Sequence, residues 1–442
     1  MSGLPRGWAW TSFGEVAQLT DGPFGSNLKT AHYVEDGPRV VRLQNIGEGV
    51  FRDERAHITE EHFEKLKKHA LQPGDVVIAS LGDDAPRACL TPSWLGPAIV
   101  KADCIRARPL SGVDAGFLMW MLNSPPMRRQ AALTIKGIGR PRLGLGGIRQ
   151  LRLALPPAAE QRRIFAAIEE HLSRLDAALS QLRASEAPLA KLRMRILDAA
   201  VLGAWDMRPF DDVIRELRNG VFVSRPSAEP PGVPIFRISA VRPMALDTND
   251  IRYGAITEES AKGYFVEAGD LLFTRYSGNP AYVGACALVP PLARRTLHPD
   301  KLIRVVVDRT RAVPEYLELA FASRTVRREV EARLKTTAGQ VGIAGGQLRT
   351  VPVPLPPMAE QRRIALEARE AVSAAGALLD AVQRAAARAE VLRRSILARA
   401  FRGDLVPQDK GDEPASVLLE RAAAERAASS APTREQRLRT PA

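Results

Sequence analysis

The sequence has few cysteines, few aromatic residues and no long apolar segment. Its three cysteines, Cys89, Cys104 and Cys286, are dispersed, and no two of them form a CxxC pair. Such usage is typical of a reducing compartment and argues against a disulfide framework or a thiolate zinc site. No stretch approaches the roughly 18 uncharged apolar residues that cross a bilayer, and no apolar run of signal length follows the first residues. We therefore expect a cytoplasmic protein whose cysteines are buried as small hydrophobic residues.

Catalytic motifs are missing or incomplete. There is no GxxxxGK[ST] phosphate loop, and the glycines between Gly137 and Gly147 lack the strand and the acidic ribose partner of a dinucleotide site. The segment NSPPM (123–127) resembles the (Asn/Asp)-Pro-Pro-aromatic motif of amino-methyltransferases, but serine precedes its prolines and methionine replaces the aromatic residue. HPDK (298–301) has no nearby Glu-x-Lys to complete a nuclease site. We predict no catalytic residue, no metal site and no bound cofactor.

Positive charge is the main compositional signal. The formal net charge is +13 and the pI is about 10.0, which favours a polyanionic partner. No Asp or Glu lies between Asp114 and Glu160 or between Glu331 and Glu360, although both stretches contain Arg and Lys. Because a carboxylate repels phosphate at short range, this pattern favours two surfaces that lie near nucleic acid.

The most informative feature is a long internal repeat. LPPAAEQRRI (Leu155–Ile164) returns as LPPMAEQRRI (Leu355–Ile364), and LRMRILDAAVLG (192–203) is matched at the same offset by LRRSILARAFRG (392–403). The offset of 200 residues is far too long for a solenoid. We infer two globular units, each followed by a long helix.

Each unit is predicted to mix strands and helices. RVVRLQNIGEGV (39–50) alternates like a strand that closes on a glycine turn, and ITEEHFEKLKKHA (58–70) indicates a helix that Thr59 can cap. Other elements are expected in pairs, one in each unit: buried strands within 71–80 and 266–275, and closing helices at 116–130 and 314–330. This mixture indicates an α/β or α+β fold.

The helix after each decapeptide carries an apolar stripe with heptad-like spacing. In the first copy the stripe consists of Ile164, Ile168, Leu172, Leu175, Leu179, Leu182, Leu189, Leu192 and Ile196. The second copy often has a smaller residue at the equivalent position, so the two helices are predicted to pack together as an antiparallel coiled coil with pseudo-two-fold symmetry. Pro157 and Pro357 are expected in the first helical turn, and Pro188 is expected to kink the first helix.

These residues resemble one known family. The doubled LPPxxEQRRI, the helices ending in LRxxILxxAxxG and the xxGDxxxx strands are similar to those of the specificity (S) subunit of type I restriction-modification systems. The resemblance covers residues 1–403. It implies an arrangement of five segments: target recognition domains at 1–157 and 204–357, conserved spacer helices at 158–203 and 358–403, and a C-terminal tail at 404–442 that we expect to be partly disordered.

The resemblance also implies partners. Each recognition domain would read one half of a split sequence in double-stranded DNA, and the helices would set the spacer and dock two methyltransferase subunits. Motor-nuclease subunits would complete the restriction enzyme. S-adenosylmethionine, ATP and magnesium would be bound by those partner subunits only, so the chain is expected to be a non-catalytic specificity subunit.

Candidate DNA contacts are side chains with paired donors, or with a donor and an acceptor, on loops next to strands. In the first unit they are Lys29, Arg42, Gln44, Asn45, Arg87, Lys136, Arg140 and Arg142. In the second unit they are Arg225, Arg237, Arg275, Tyr276, Asn279, Lys335 and Gln340. The resemblance does not refine this set, because the recognition domains of the family vary freely.

Two other interpretations remain open from the sequence. The chain could be a stand-alone DNA-binding or architectural scaffold whose helices pair with a second copy, or an enzyme with an unrecognised active site. A stable complex with a methyltransferase would separate the specificity subunit from the scaffold. Methylation by the purified chain alone would favour the enzyme.

Overall fold

The computed structural model describes residues 3–24, 27–82, 85–135, 142–337 and 340–430. The chain divides into two compact units. The first unit contains residues 1–180 and 386–442, and the second contains residues 181–385. The mixed α/β class and the two long helices expected from the sequence are both present. The finer boundaries at residues 157, 203, 357 and 403 remain predictions.

The first unit contains nine strands in its described residues: β1 Ala9–Ser12, β2 Ala17–Asp21, β3 Tyr33–Val41, β4 His57–Ile58, β5 Val76–Ala79, β6 Arg87–Leu90, β7 Ala98–Val100, β8 Cys104–Pro109 and β9 Arg152–Leu155. Its helices are α1 Phe13–Val16, α2 Glu60–Lys65, α3 Ala115–Asn123, α4 Pro125–Ala132, α5 Leu145–Gln150 and the beginning of α6 Ala158–Val201. The central sheet has the antiparallel order β2-β8-β5-β6, and a smaller sheet has the order β4-β3-β7.

The described strands of the second unit are β10 Met207–Pro209, β11 Ile214–Asn219, β12 Val233–Phe236, β13 Val241–Arg242, β14 Ala245–Leu246, β15 Ile251–Gly254, β16 Leu271–Thr274, β17 Tyr276–Ser277, β18 Cys286–Leu288, β19 Leu302–Val307, β20 Lys335–Thr337, β21 Gln340–Gly342 and β22 Pro352–Pro354. Its helices are α7 Glu258–Ala261, α8 Pro314–Ala322, α9 Arg324–Glu331, α10 Gly345–Arg349 and the beginning of α11 Met358–Ala400. The central sheet has the antiparallel order β11-β19-β16-β18, which repeats that of the first unit strand for strand.

The Gly-Asp pair before the central strand has the same structural role in both units. Gly74 and Gly269 adopt φ values of 84° and 94°, which favour glycine, and each turns the chain into the strand. The carboxylate of Asp75 accepts from the Gln72 N–H at 2.8 Å and pairs with Arg108 on β8 at 2.7 Å. Asp270 makes the equivalent contacts with the Glu267 N–H and with Arg304 on β19. The aspartate of each pair therefore stabilises the turn through a backbone hydrogen bond and joins two neighbouring strands through an ion pair.

The repeated decapeptide ties the end of each unit to the start of its long helix. In the first unit, the buried Gln161 side chain accepts from the Asp114 N–H at 2.8 Å and donates to the Pro156 carbonyl at 2.9 Å. In the second, Gln361 accepts from the Val313 N–H at 2.9 Å and donates to the Pro356 carbonyl at 2.8 Å. One glutamine thus fixes three segments in each unit: the helix start, the proline pair and the loop before α3 or α8.

The two prolines of each decapeptide lie just outside the helix. The helices begin at Ala158 and Met358, and the carbonyls of Pro157 and Pro357 accept the first helical hydrogen bonds from Gln161 and Gln361. The prediction that they occupy the first helical turn is therefore wrong by one position. A residue whose carbonyl already belongs to the helical ladder, while its own φ and ψ do not, is the N-cap. Helix α6 continues through Pro188 to Val201.

The apolar stripe is buried where each long helix meets a globular core. In the first unit, Ile164, Ile168 and Leu172 of α6 share a core with Ile396 and Leu397 from the end of α11. In the second, the end of α6 and the beginning of α11 share a core in the same manner. In both units the start of one helix is therefore grouped with the end of the other, as the antiparallel prediction requires.

Near the C-terminal ends of the two helices, the predicted apolar stripe does not match the face that is buried. Leu192 and Leu392 are 47% and 51% exposed, whereas Leu197 and Leu397 are buried. An α-helix drifts relative to a strict heptad pattern, and here the last turns present a different face to the globular cores.

Two other expectations need correction, and a third is confirmed. The strand expected at 39–50 ends at Val41, and a 3-10 turn follows at Leu43–Asn45. Each closing helix is two helices, because Ser124 and Ser323 end one helix and cap the next through their hydroxyls. The Thr59 cap is confirmed, since its side chain accepts from the His62 N–H.

The C-terminal tail is partly ordered. Helix α12 (Ala415–Ser430) packs in the first unit, with Ala415, Leu418 and Ala422 buried. Arg163 on α6 pairs with Asp412 at 2.6 Å. Residues 415–430 of the tail are therefore ordered, with buried side chains that cover an apolar surface, and residues 431–442 lie outside the described part of the chain.

Candidate nucleic-acid interface

Three loops converge beside the central sheet of the first unit. Phe24 lies in the loop after β2, Ser80 follows β5, and Arg142 opens the glycine-rich segment before α5. The Arg142 guanidinium lies 4.6 Å from the centre of the Phe24 ring. The Leu143 N–H donates to the Ser80 carbonyl at 2.8 Å. These contacts bring segments far apart in sequence to one edge of the unit.

The second unit brings the equivalent loops together. The Ile343 N–H donates to the Arg275 carbonyl at 2.9 Å, as Leu143 does to Ser80, and β17 pairs with β21 at this point. The loop after β11 forms a bridge between Val221 and Pro299. The Arg275 guanidinium donates to the Asp300 carbonyl at 3.2 Å and lies 4.8 Å from the centre of the Tyr276 ring. The loops have diverged in sequence while their connections have not.

Two predicted arginines occupy the same place in the two units. Arg42 follows β3 and Arg237 follows β12, and each is the residue before a 3-10 turn. The Arg42 guanidinium donates to the Arg55 carbonyl at 3.2 Å, and Arg237 pairs with Asp250 at 3.0 Å. Each is a single contact near the surface, where water and salt weaken it, so a phosphate or a base edge could replace it. Their shared position makes them the best supported of the predicted contacts.

The other predicted residues differ in exposure. Six have exposed side chains on or next to loops: Lys29, Gln44, Arg225, Asn279, Lys335 and Gln340. Arg225 has a φ of 45°, in the left-handed region that costs a non-glycine residue roughly 1 kcal/mol or more. Arg87 is half-buried, and its Nε donates to the Ile46 carbonyl at 2.8 Å. Lys136 and Arg140 lie outside the described residues.

Asn45 has a structural role instead of the predicted base contact. It is 1% exposed, and its side-chain oxygen accepts from the Arg42 N–H at 2.8 Å. Its amide nitrogen donates to the carbonyls of Arg52 and Glu54 at 2.8 and 2.7 Å. Because the amide is fully used inside the loop, Asn45 shapes the turn that presents Arg42.

The two stretches without acidic residues are not free of carboxylates in space. Arg128 pairs with Glu48 and Arg142 with Asp103, while Arg349 of the second stretch pairs with Asp211. Partners from elsewhere in each unit neutralise part of the charge. The pattern therefore does not by itself mark a surface next to phosphates.

The sequence segments considered for catalysis are structural. Asn123 bonds both the N–H and the carbonyl of Ala88, and Ser124 caps α4, so NSPPM is a helix junction. His298 is fully buried and its Nδ1 donates to the Tyr264 carbonyl at 2.7 Å. Burial lowers the pKa of His298 to about 4.

The three cysteines are buried, as predicted. Burial raises the pKa of Cys89 to about 12, and it also raises the pKa values of Cys104 and Cys286. All three are therefore neutral thiols that pack as apolar groups.

Within the described ranges, no helix combines the length and the apolar character that crossing a membrane requires. In the same ranges, no group of three His, Cys, Asp or Glu side chains is arranged to hold a metal ion.

Sequence reasoning missed two aromatic residues at the converging loops, Phe24 and Phe222. The signal was present: GPFGS at 22–26 and GVFVS at 220–224 share the pattern Gly-x-Phe-x-Ser. The offset of this pair is 198 residues, not the 200 of the decapeptide, so a search at one fixed offset does not find it.

Comparisons with known proteins agree on one class. No family model matches the chain. The chain is 31% identical to the type I restriction enzyme EcoKI specificity subunit of Escherichia coli strain K12, over 96% of this chain and 97% of that protein. It is 23% identical to the StySPI specificity subunit of Salmonella potsdam, over 96% and 97% of the respective chains.

Two solved structures share the fold. One belongs to work on the "structural basis underlying complex assembly and conformational transition of the type I R-M system", with a TM-score of 0.65, 20% identity, and coverage of 91% of this chain and 100% of that chain. The other is the HsdS subunit from Thermoanaerobacter tengcongensis, with a TM-score of 0.53, 19% identity, and coverage of 91% and 98%.

Proposed function

Because the chain belongs to the family of type I restriction enzyme specificity subunits, we propose that it recognises a bipartite target in double-stranded DNA. Residues 1–157 would read one half of the target and residues 204–357 the other. The chain supplies the sequence specificity and no catalytic group. S-adenosylmethionine, ATP and magnesium would be bound by its partner subunits.

The equivalent positions of Arg42 and Arg237 carry the proposal. Each arginine directly follows a strand and precedes a 3-10 turn in its own unit, although the sequences around them differ. An arginine can bond a guanine through two parallel N–H donors or bind a phosphate. Exposed amide and basic side chains nearby, such as Gln44 and Lys29 in the first unit, would add further contacts. Two sites of similar construction and different sequence suit a target with two different halves.

The long helices are proposed to set the spacer and to bind the methyltransferase subunits. Several exposed apolar side chains on α6 and α11 support this role, because they offer surface that a protein partner could cover. They are Leu192, Leu366, Leu378, Val391 and Leu392, which are 47–65% exposed. Two methyltransferase subunits would dock on these helices, and motor-nuclease subunits would join the complete enzyme.

The first test is a binding experiment on the complex with its methyltransferase subunits. The target is identified by sequencing modified bases in the host genome. Duplexes with either half-site scrambled are then compared for wild type, Arg42→Ala and Arg237→Ala. We expect each substitution to weaken binding by about 5- to 150-fold, with the dependence on one half-site lost for each variant.

Arg421→Ala is the matched control, because Arg421 is an exposed, paired arginine on α12 outside the converging loops. It should leave binding unchanged. If both interface variants also bind like wild type, these arginines do not read the DNA. If the wild-type complex does not select any bipartite sequence, the proposed function itself is wrong.

The spacer role has its own test. Inserting one or two helical turns into α6 and the facing part of α11 should lengthen the unread spacer of the target while leaving both half-sites unchanged. Sequencing of modified bases in cells that carry the insertion measures both quantities. Altered half-site bases would contradict the role.

A further inference from the structure

The loop that follows the first strand of each central sheet repeats the pattern Gly-x-Phe-x-Ser. In the sequence the pattern lies at 22–26 and 220–224, and the described residues Gly22–Phe24 and Gly220–Ser224 follow β2 and β11. The two strands have the same place in the two sheets, so the loops are structurally equivalent. The surrounding residues of the two units have diverged, which makes this short match informative.

Both loops leave the sheet by the same backbone contacts. The Gly22 N–H donates to the Cys104 carbonyl at 3.1 Å, and the Gly220 N–H donates to the Leu302 carbonyl at 3.1 Å. A Cβ atom at Gly22 would lie 2.0 Å from the Lys101 carbonyl oxygen, and one at Gly220 would lie 2.0 Å from that of Pro299. Only glycine fits at either position. The backbone two residues before each phenylalanine is therefore fixed against the sheet.

The phenylalanine rings face solvent. Phe24 is 41% exposed and Phe222 is 74% exposed, whereas Phe13, Phe117 and Phe210 are fully buried. A single exposed apolar side chain needs no explanation. Two exposed phenylalanines at equivalent positions in units of diverged sequence do need an explanation, because neither ring fills a core.

Each ring lies beside cationic groups: one arginine at Phe24, where Asp21 also lines the pocket, and several cations at Phe222. Arg142 stacks on Phe24, with 4.6 Å between the guanidinium carbon and the ring centre. Phe222 lines a groove of about 490 Å³ together with Arg237, Arg252, Lys301 and the carboxylate-bearing Asp300. An exposed aromatic ring next to a cation is a surface that can bind a nucleobase beside its phosphate.

We propose that Phe24 and Phe222 are paired contacts to the DNA bases, one for each half-site, in which the ring face packs against or between neighbouring bases. This inference rests on the proposed function. Because the same residue serves two units that read different sequences, its contact is independent of sequence: stacking accepts any base, since every base has an apolar face. The rings position each half-site, and the surrounding arginines and amides select its sequence.

The test uses the complex with its methyltransferase subunits and a duplex that carries its target. Phe222→Ala should weaken binding by about 5- to 150-fold, the range for one lost stacking contact. The ratio of affinities for target and scrambled duplex should change little. The slope of log Kd against log salt concentration should stay at the wild-type value, because no phosphate contact is lost. Arg237→Ala, in contrast, should change the slope, the specificity ratio, or both.

Three further variants complete the design. Phe222→Trp keeps a larger ring and should retain most of the affinity, whereas Phe222→Leu keeps an apolar side chain and should not. Phe24→Ala should act like Phe222→Ala. Trp94→Ala, an exposed aromatic outside these loops, is the control and should bind like wild type.

The results distinguish a failure of the base-stacking role from a failure of the proposed function. Wild-type binding to the target with unchanged affinity in Phe24→Ala and Phe222→Ala overturns this inference and leaves the proposed function standing. Equal losses in the Trp and Leu variants overturn the stacking role. A melting temperature equal to that of wild type shows that a loss of binding comes from the ring and not from the fold.

Discussion

The glutamine of each decapeptide offers a sharp test of how these units are held together. Gln161 is fully buried, and its side chain joins the Asp114 N–H to the Pro156 carbonyl through hydrogen bonds of 2.8 and 2.9 Å. Gln161→Leu keeps most of the volume and removes both bonds. A buried donor or acceptor without a partner costs about 1–3 kcal/mol, so the two together should cost about 2–6 kcal/mol.

That loss is large relative to the roughly 5–15 kcal/mol that stabilises a typical domain. Its effect should be local to the first unit, because Gln361 makes the equivalent bonds in the second. Hydrogen exchange measures this directly. In Gln161→Leu the Asp114 N–H should lose protection by a factor of about 30 or more, while the Val313 N–H keeps its wild-type rate. Gln361→Leu should give the opposite pattern.

Two controls limit the interpretation. Gln181→Leu changes an exposed glutamine of α6 and should alter neither amide. Gln161→Glu can still accept from Asp114 but its carboxylate cannot donate to Pro156 and is costly to bury, so it should also destabilise. If the Asp114 amide exchanges at the wild-type rate in Gln161→Leu, the glutamine does not lock the junction and its repetition needs another explanation.

Other predictions concern stability. Asp270→Asn should destabilise the second unit by about 3–5 kcal/mol in urea unfolding, because it leaves the buried Arg304 without its charge partner; Asp75→Asn should cost less, since its arginine partner is more exposed. Equal costs would contradict this. Burial lowers the pKa of His298 from 6.5 in the unfolded chain to about 4 in the folded chain. The free energy of unfolding should therefore fall by up to about 3 kcal/mol as the pH drops from 6.5 to 4, and His298→Asn should remove this part of the pH dependence. Leu418→Ala should destabilise the first unit by about 2–5 kcal/mol and make α12 sensitive to proteolysis; an unchanged digestion pattern would mean that α12 packs weakly.

Much of the architecture could be predicted because repetition is visible in sequence. The decapeptides located both helix starts to within one residue, and the Gly-Asp pairs located both central strands. These segments are repeated because the same side chains make the same backbone contacts in each unit. The internal repeat supplied the two-unit arrangement, the resemblance supplied the family, and a full-length relative bears out that family.

The candidate site was less predictable. The sequence predicts Arg42 and Arg237 only as loop arginines, and their shared place before a 3-10 turn is seen only in the structure. The chemistry of Asn45 predicts a base contact, but its burial gives it a structural role. Phe24 and Phe222 were missed because an aromatic residue in a strand-to-loop pattern is normally a core residue, and exposure cannot be read from residue type.

The sequence by itself determined the duplication, the mixed fold, the two long helices and the position of each junction. Local chemistry decides all of these: a helix N-terminus, a glycine turn and an apolar stripe are properties of adjacent residues. Only the tertiary structure decided what the junction glutamine holds, which leucines of the stripe are buried, that α12 packs in the first unit, and that Phe24 and Phe222 are exposed beside cations. Each of these depends on atoms far apart in the chain, whose distances are set by packing and not by sequence separation.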